Sequence, residues 1–296
     1  MKQDGQRKRV HGGMRLGQRG EPSALQLGAE RPPGAGAENG LGTSSGHAVE
    51  ASGVEFGYGE LPVVSNLDLK IPAGEIYVIL GPSGCGKSTV LNMIAGTIKP
   101  TGGDLTCFGS PITDLNQRVS YMTQRDTLLA WRNSLDNAAL PLEIKHVPKQ
   151  ERYDAARHVL SRVGLEGFDD YRPHQLSGGM RSRLSLARAL LGEADIFLMD
   201  EPFAAVDALS RLKLQQLVVD VWLETRKTII YVTHDLYEAI ALGHRIAVMT
   251  ARPARVRLEQ PVEGPESRDI ADFKGTDTAQ HLYGVLWNAL AGELGE

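Results

Sequence analysis

The sequence predicts an α/β fold, on three observations. Apolar runs of strand length, Ile76–Leu80, Ile196–Met199 and Thr228–Val232, are separated by stretches of helical periodicity, the pattern of buried and mostly parallel strands. The first run leads through Gly81-Pro82-Ser83-Gly84-Cys85-Gly86-Lys87-Ser88-Thr89 into a periodic segment, Val90, Leu91, Met93, Ile94, which reads as strand, glycine loop, helix. The second run ends in Asp200-Glu201, at the strand end where open α/β sheets place ligands.

The glycine loop is the most specific of these. Its glycines let backbone N–H groups turn inward around anionic oxygens, and the helix adds the positive end of its dipole. At this spacing Lys87 reaches outer phosphates and the Ser88 hydroxyl holds Mg²⁺. An ordinary glycine turn before a helix is the competing reading, and the flanking strand and helix weigh against it. A nucleoside triphosphate is the expected ligand.

Composition bounds what else the chain can be. Its 296 residues hold one large domain or two small ones, and 42% hydrophobic with 23% charged residues describes an ordinary globule. A net charge of −4 argues against general nucleic-acid binding. The two cysteines are Cys85 in the loop and Cys107 in an expected strand; oxidation at Cys85 would disable the site, which points to a reducing compartment. No apolar run nears the ~18 residues that span a bilayer, and the basic N-terminus has no apolar stretch of the secretory kind. A cytoplasmic protein is expected.

Residues 1–48 carry 11 of the 33 glycines, no aromatic residue, and seven Lys/Arg against four Asp/Glu. Such a segment buries too little apolar surface to offset its ordering entropy, so a disordered tail is expected. Arg7-Lys8-Arg9 reads either as a contact for an anionic membrane surface or as a solvated leader. Beyond it, Val54 and Phe56, then Leu67, Leu69 and Ile71, alternate with polar residues and predict strands. Tyr58, in a Gly-Tyr-Gly turn, either stacks on a base or packs locally. Asp104–Phe108 and Val119–Met122 read as strands, and Ser134–Leu165 as helical, with His146 and His158 as solvated or core residues.

Gln124 lies just past a strand end, where it reaches a metal or water or stays at the surface. Ser177 is a predicted N-cap, and Gly178-Gly179 would let an anion approach the helix that follows through Met180, Leu184, Ala187 and Leu190. A capped helix without ligand is the alternative. Asp200 would orient Mg²⁺ or its water, and Glu201 would polarise an attacking water. Asp207 precedes a helix from about Ala208 to Glu224, and His234 ends the Thr228–Val232 strand, as a phosphate contact or a structural histidine. Strands at Ile246–Thr250 and Val256–Leu258 and a last helix bearing Leu282, Val285, Leu286 and Leu290 complete the chain.

In this order the motifs resemble the ATPase subunit of ABC transporters over about residues 49–260. Tyr58 matches the aromatic that stacks on adenine, Gly81–Thr89 Walker A, Gln124 the Q-loop, and Leu176–Met180 the signature. Ile196–Asp200 matches Walker B, Glu201 the catalytic glutamate, Asp207 the D-loop aspartate and His234 the switch histidine. The resemblance implies a P-loop NTPase domain with a mixed sheet core, an antiparallel β subdomain and a helical signature subdomain at about 125–180, followed by a C-terminal helical extension at 261–296. Further similarity lies in Leu128-Leu129-Ala130-Trp131-Arg132-Asn133, Asp136-Asn137 and Glu201-Pro202-Phe203, which look like the nitrate/sulfonate/taurine import branch. Three residues depart from the commoner pattern: Met180 and Ser182 where glutamine is usual, and Ala204-Ala205-Val206 before Asp207. None of them is a group that touches phosphate or metal.

What the resemblance implies is an ATP hydrolase with ATP and Mg²⁺ as cofactors. Lys87, Gln124, Glu201 and His234 would serve catalysis, and Ser88, Gln124 and Asp200 would hold the metal. Tyr58, Gly81–Thr89, Ser177, Gly178, Gly179 and Asp207 would hold nucleotide, the signature residues acting from a second copy in a homodimer. Implied partners are integral membrane permease subunits and, indirectly, a substrate-binding protein, with the subunit peripheral on the cytoplasmic face of the membrane and no nucleic acid bound. A soluble ABC ATPase acting on nucleic acid or ribosomes fits less well, since only 90 residues separate Lys87 from Ser177, too few for a long coiled coil, and one cassette is present. A nucleotide sensor without turnover would not need Glu201 and His234.

Overall fold

The computed structural model describes residues 46–264 and 269–294. Of the tail expected at 1–48, residues 1–45 lie outside the described residues, and His47 already opens the first strand. That strand, β1 (His47–Tyr58), pairs antiparallel with β2 (Leu61–Pro72). With β4 (Gly102–Cys107) and β5 (Ser110–Pro111) they form a four-stranded sheet in the order β2-β1-β4-β5.

The second sheet has six strands in the order β10-β9-β3-β8-β7-β6. They are β3 (Ile76–Leu80), β6 (Val119–Met122), β7 (Ile196–Asp200), β8 (Thr228–Thr233), β9 (Arg245–Met249) and β10 (Val256–Pro261). All neighbours are parallel except β10, which runs antiparallel to β9. Strands β3, β7 and β8 are buried at every position, which explains why they read as unbroken apolar runs and not as alternation. Their side chains divide between two cores: Ile76, Val78 and Leu80 face the helices, while Tyr77 and Ile79 join Val54, Leu67 and Leu91 under the antiparallel sheet.

Helix α1 (Lys87–Ile94) follows the glycine loop. The stretch expected as helical from Ser134 to Leu165 is two helices, α2 (Ser134–Ile144) and α3 (Lys149–Arg162). The break is local: His146 has a φ of 59°, and Val147 precedes Pro148, which disfavours the helical conformation before it. Helix α4 (Gly178–Leu190) is capped by the Ser177 side chain, which accepts from Met180 N–H, and α5 (Ala208–Thr225) by Asp207, which accepts from Ser210 N–H. Two short helices were absent from the sequence reading, α6 (Leu236–Leu242) and α7 (Ile270–Phe273). The chain's last described helix is α8 (Asp277–Leu294). No helix among the described residues is long and apolar enough to cross a membrane.

Candidate active site

Register gathers the site. In the parallel ladder Leu80 pairs with Thr233, and Val232 pairs with Asp200, so β3, β8 and β7 end side by side. The glycine loop, His234 and the Asp200-Glu201 pair therefore emerge from three adjacent strand ends, although they are far apart in sequence.

The loop wraps the start of α1. Gly84 and Gly86 have φ of 76° and 128°, conformations that a side chain would strain. A Cβ on Gly86 would also meet Val63 at 3.2 Å and Ala254 at 3.3 Å, so the loop lies tight against β2 and the turn after β9. As N-cap of α1, Gly86 offers no side-chain acceptor, so the first N–H groups of the helix remain available to an anion. Lys87 is buried, and its Nζ donates to the carbonyls of Gly81 and Pro82, each at 2.8 Å.

A cleft of about 260 Å³ opens over the loop. Tyr58, Ser83, Gly84, Gly86, Lys87, Ser88, Thr89, Gln124 and Glu201 line it, with Val63 and Arg252. Tyr58 is exposed and meets Phe56 edge-on, ring centres 5.0 Å apart, which leaves a face free for a base. It is the last residue of β1, not part of the turn expected there.

Asp200 lies beneath the cleft, 3% exposed, and its Oδ1 has no hydrogen-bond partner. Burial raises its pKa above the ordinary carboxylate value; the Ser88 hydroxyl beside it and, less strongly, the Lys87 charge act in the opposite direction. A buried carboxylate oxygen without a partner is costly unless something binds it. Glu201 follows in a left-handed conformation, φ 45°, rare for a residue with a side chain and a recurrent feature of functional sites. Its N–H donates to Val232 O at 3.0 Å, and its carboxylate lies 3.2 Å from His234 Nδ1.

Not every expected site residue joins the cleft. His234 reaches it only through Glu201 and is itself half exposed. Ser177, Gly178, Gly179 and Asp207 are absent from the lining; Gly178 and Gly179 face Ala205 and Val206, next to Asp207. Gly81, Pro82 and Cys85 shape the loop from behind, Cys85 being buried. Sequence reasoning missed Arg252, whose Nη2 donates to Gly84 O at 2.6 Å. No signal in the sequence could have found it, since it meets the loop only because β9 pairs in parallel with β3. Also missed was a clamp on the segment after Gln124: Arg181 of α4 pairs with Asp126 at 2.9 Å, and Arg188 donates to Thr127 O and Oγ1 at 2.9 and 2.6 Å.

A family model described as ABC transporter matches residues 64–204. An uncharacterised ABC transporter ATP-binding protein of Methanocaldococcus jannaschii is 40% identical over 221 residues, covering 74% of this chain and 83% of that protein. The chain belongs to the ABC transporter ATP-binding family.

As an ABC ATP-binding subunit it binds ATP and couples its hydrolysis to transport. Other relatives are named by cargo. A taurine import ATP-binding protein of Pseudomonas aeruginosa is 44% identical over 231 residues, 78% of this chain and 88% of that one. Its namesake in Roseobacter denitrificans is also 44% identical, over 194 residues, 66% of this chain and 72% of its own. Among solved structures, a dimeric ATP-binding cassette in a post-hydrolysis state with ADP and phosphate superposes with a TM-score of 0.67. That likeness covers 73% of this chain and all of that one at 32% identity. The mixed sheet, antiparallel sheet and helical segment of the ABC cassette are thus those described above.

Proposed function

We propose that this subunit powers import of a small sulfonate or related anion, of the taurine type, through an integral membrane permease. The named taurine importers among its relatives support the cargo, as does the segment Leu128–Asn133 after Gln124. Trp131 in that segment is 72% exposed and would contact the permease, with the subunit peripheral on the cytoplasmic side.

In the proposed mechanism the base of ATP lies against Tyr58 and the triphosphate over the loop amides. The carboxylate of Asp200, the Ser88 hydroxyl and Gln124 suit Mg²⁺: one orphaned, buried carboxylate oxygen beside a hydroxyl, completed by substrate phosphates, is the donor set that this cation favours. When bound, Mg²⁺ would neutralise charge on the β- and γ-phosphates. Glu201 orients the attacking water and accepts its proton, while His234 steadies the Glu201 carboxylate from Nδ1. Ser177, Gly178 and Gly179 of a second copy close the γ-phosphate side, since none of them lines the cleft of their own chain. Asp207, cap of α5 beside those glycines, would lie in the same contact. A substrate-binding protein would deliver the cargo.

The observation that carries this reading is the shared strand-end register, with Asp200's unpartnered oxygen next to Ser88. Calorimetry with Lys87→Ala should show ATP binding lost; unchanged affinity would contradict the loop assignment. Liposomes holding the permease, this subunit and the substrate-binding protein should take up labelled taurine only with ATP and Mg²⁺. Uptake without hydrolysis, or hydrolysis that no sulfonate stimulates, would remove the cargo assignment.

A further inference from the structure

Arg252 stands beyond β9 much as the glycine loop stands beyond β3, and the two strands are parallel neighbours with Leu80 opposite Val248. It lines the same cleft as Tyr58, Lys87 and Glu201 while holding the Gly84 carbonyl at 2.6 Å. The turn that presents it is anchored. Ala254 N–H donates to Val63 O at 2.8 Å, Ser65 N–H donates to Ala254 O at 3.2 Å, and Thr250 Oγ1 donates to Pro253 O at 3.1 Å. A side chain carried by so fixed a turn loses less freedom when a ligand arrives than one on a loose loop.

Its charge is also unspent. Arg252 is exposed, and no carboxylate among the described residues pairs with it. One guanidinium nitrogen bonds Gly84, and other donors of the fork remain. Lys87, the other cation of the cleft, is buried with its ammonium engaged by two loop carbonyls. Arg252 is therefore the solvent-facing cation of a cleft whose ligand carries several negative charges, and a guanidinium fork matches phosphate oxygens in geometry as well as sign.

We propose that Arg252 is a further nucleotide-binding residue, its guanidinium bonding the phosphate chain of ATP and ADP while its bond to Gly84 fixes the crest of the loop. This rests on the reading of the cleft as the ATP site. The test is calorimetry of the full chain with ATP and with ADP, for wild type, Arg252→Ala and Arg252→Lys, with Lys87→Ala as control and melting temperatures measured beside it. Arg252→Ala should bind both nucleotides roughly tenfold more weakly, the loss of one charge-assisted contact. Its affinity should depend less on salt than that of wild type, its melting temperature should stay close to it, and Arg252→Lys should recover part of the loss. If Arg252→Ala binds like wild type while Lys87→Ala does not, the inference falls and the site stands. If Lys87→Ala also binds normally, the site itself is misread. Equal losses in both Arg252 variants, with lowered melting temperatures and an unchanged salt slope, would mean that the arginine only braces the loop, which overturns the proposal.

Discussion

Replacing Glu201 separates two costs that the native residue combines. Its carboxylate is 13% exposed and 3.2 Å from His234 Nδ1, while its backbone sits at φ 45°. Glu201→Gln keeps shape and backbone but cannot accept a proton. Removing a general base typically costs between about 10² and 10⁴ in rate, so phosphate release should fall at least ~100-fold while ATP affinity is retained. Glu201→Gly removes the base and relieves the backbone. A left-handed residue with a Cβ costs about 1–2 kcal/mol, and the partly exposed contact to His234 returns less than ~1 kcal/mol. The net expectation is a gain near 0.5–1 kcal/mol, or about 1–4 °C in melting temperature for a domain of this size. Coupled phosphate-release and thermal-melting assays on both variants measure the two effects. Wild-type turnover by Glu201→Gln would refute the base assignment, and a Glu201→Gly protein melting several degrees lower would refute the strain argument.

Three more expectations follow from particular contacts. Because burial holds the Asp200 proton more tightly in the folded chain than in the unfolded one, whose ordinary value is 3.8, this group's contribution to nucleotide-free stability should fall as pH rises above that value. Between about pH 4 and 7 the urea midpoint of wild type should therefore fall relative to that of Asp200→Asn, and the variant should lose the added stability conferred by Mg²⁺ with ATP. Glu238 is buried and accepts from Thr233 Oγ1 at 2.7 Å, Gln215 Nε2 at 2.9 Å and Tyr231 OH at 3.3 Å, with Arg211 nearby. Truncation to Ala should cost about 3–5 kcal/mol and lower the melting temperature by roughly 10 °C; a shift under ~2 °C would show that the network contributes little. Trp131→Ala should leave basal hydrolysis unchanged and reduce co-purification with the permease, and undiminished capture would discount that surface.

Much of this was legible in the sequence because the informative residues act locally. The glycine loop declares itself through spacing, and β3, β7 and β8 through unbroken apolar runs that only strands buried on both faces can use. Ser177 announced a helix start through a side chain that caps within three residues, and the structure adds the same role for Asp207, which the sequence placed only before its helix. What escaped depends on the fold. Helix α6 buries six of its seven residues, leaving no polar face for periodicity to reveal. The α2–α3 break turns on one left-handed residue, His146, inside an otherwise continuous pattern. Arg252 meets Gly84 across 168 residues of sequence, a distance at which no local rule applies. The orphaned Asp200 oxygen likewise exists only once β7 has been set beside β8 and the loop.

The most direct measurement is a crystal structure of the Glu201→Gln chain grown with ATP and Mg²⁺. The triphosphate should lie over the amides of Gly84 to Thr89, with the cation about 2.1 Å from the Ser88 hydroxyl oxygen and held, directly or through water, by Asp200. Nucleotide bound elsewhere, or a cation that leaves Asp200 Oδ1 still without a partner, would contradict the account.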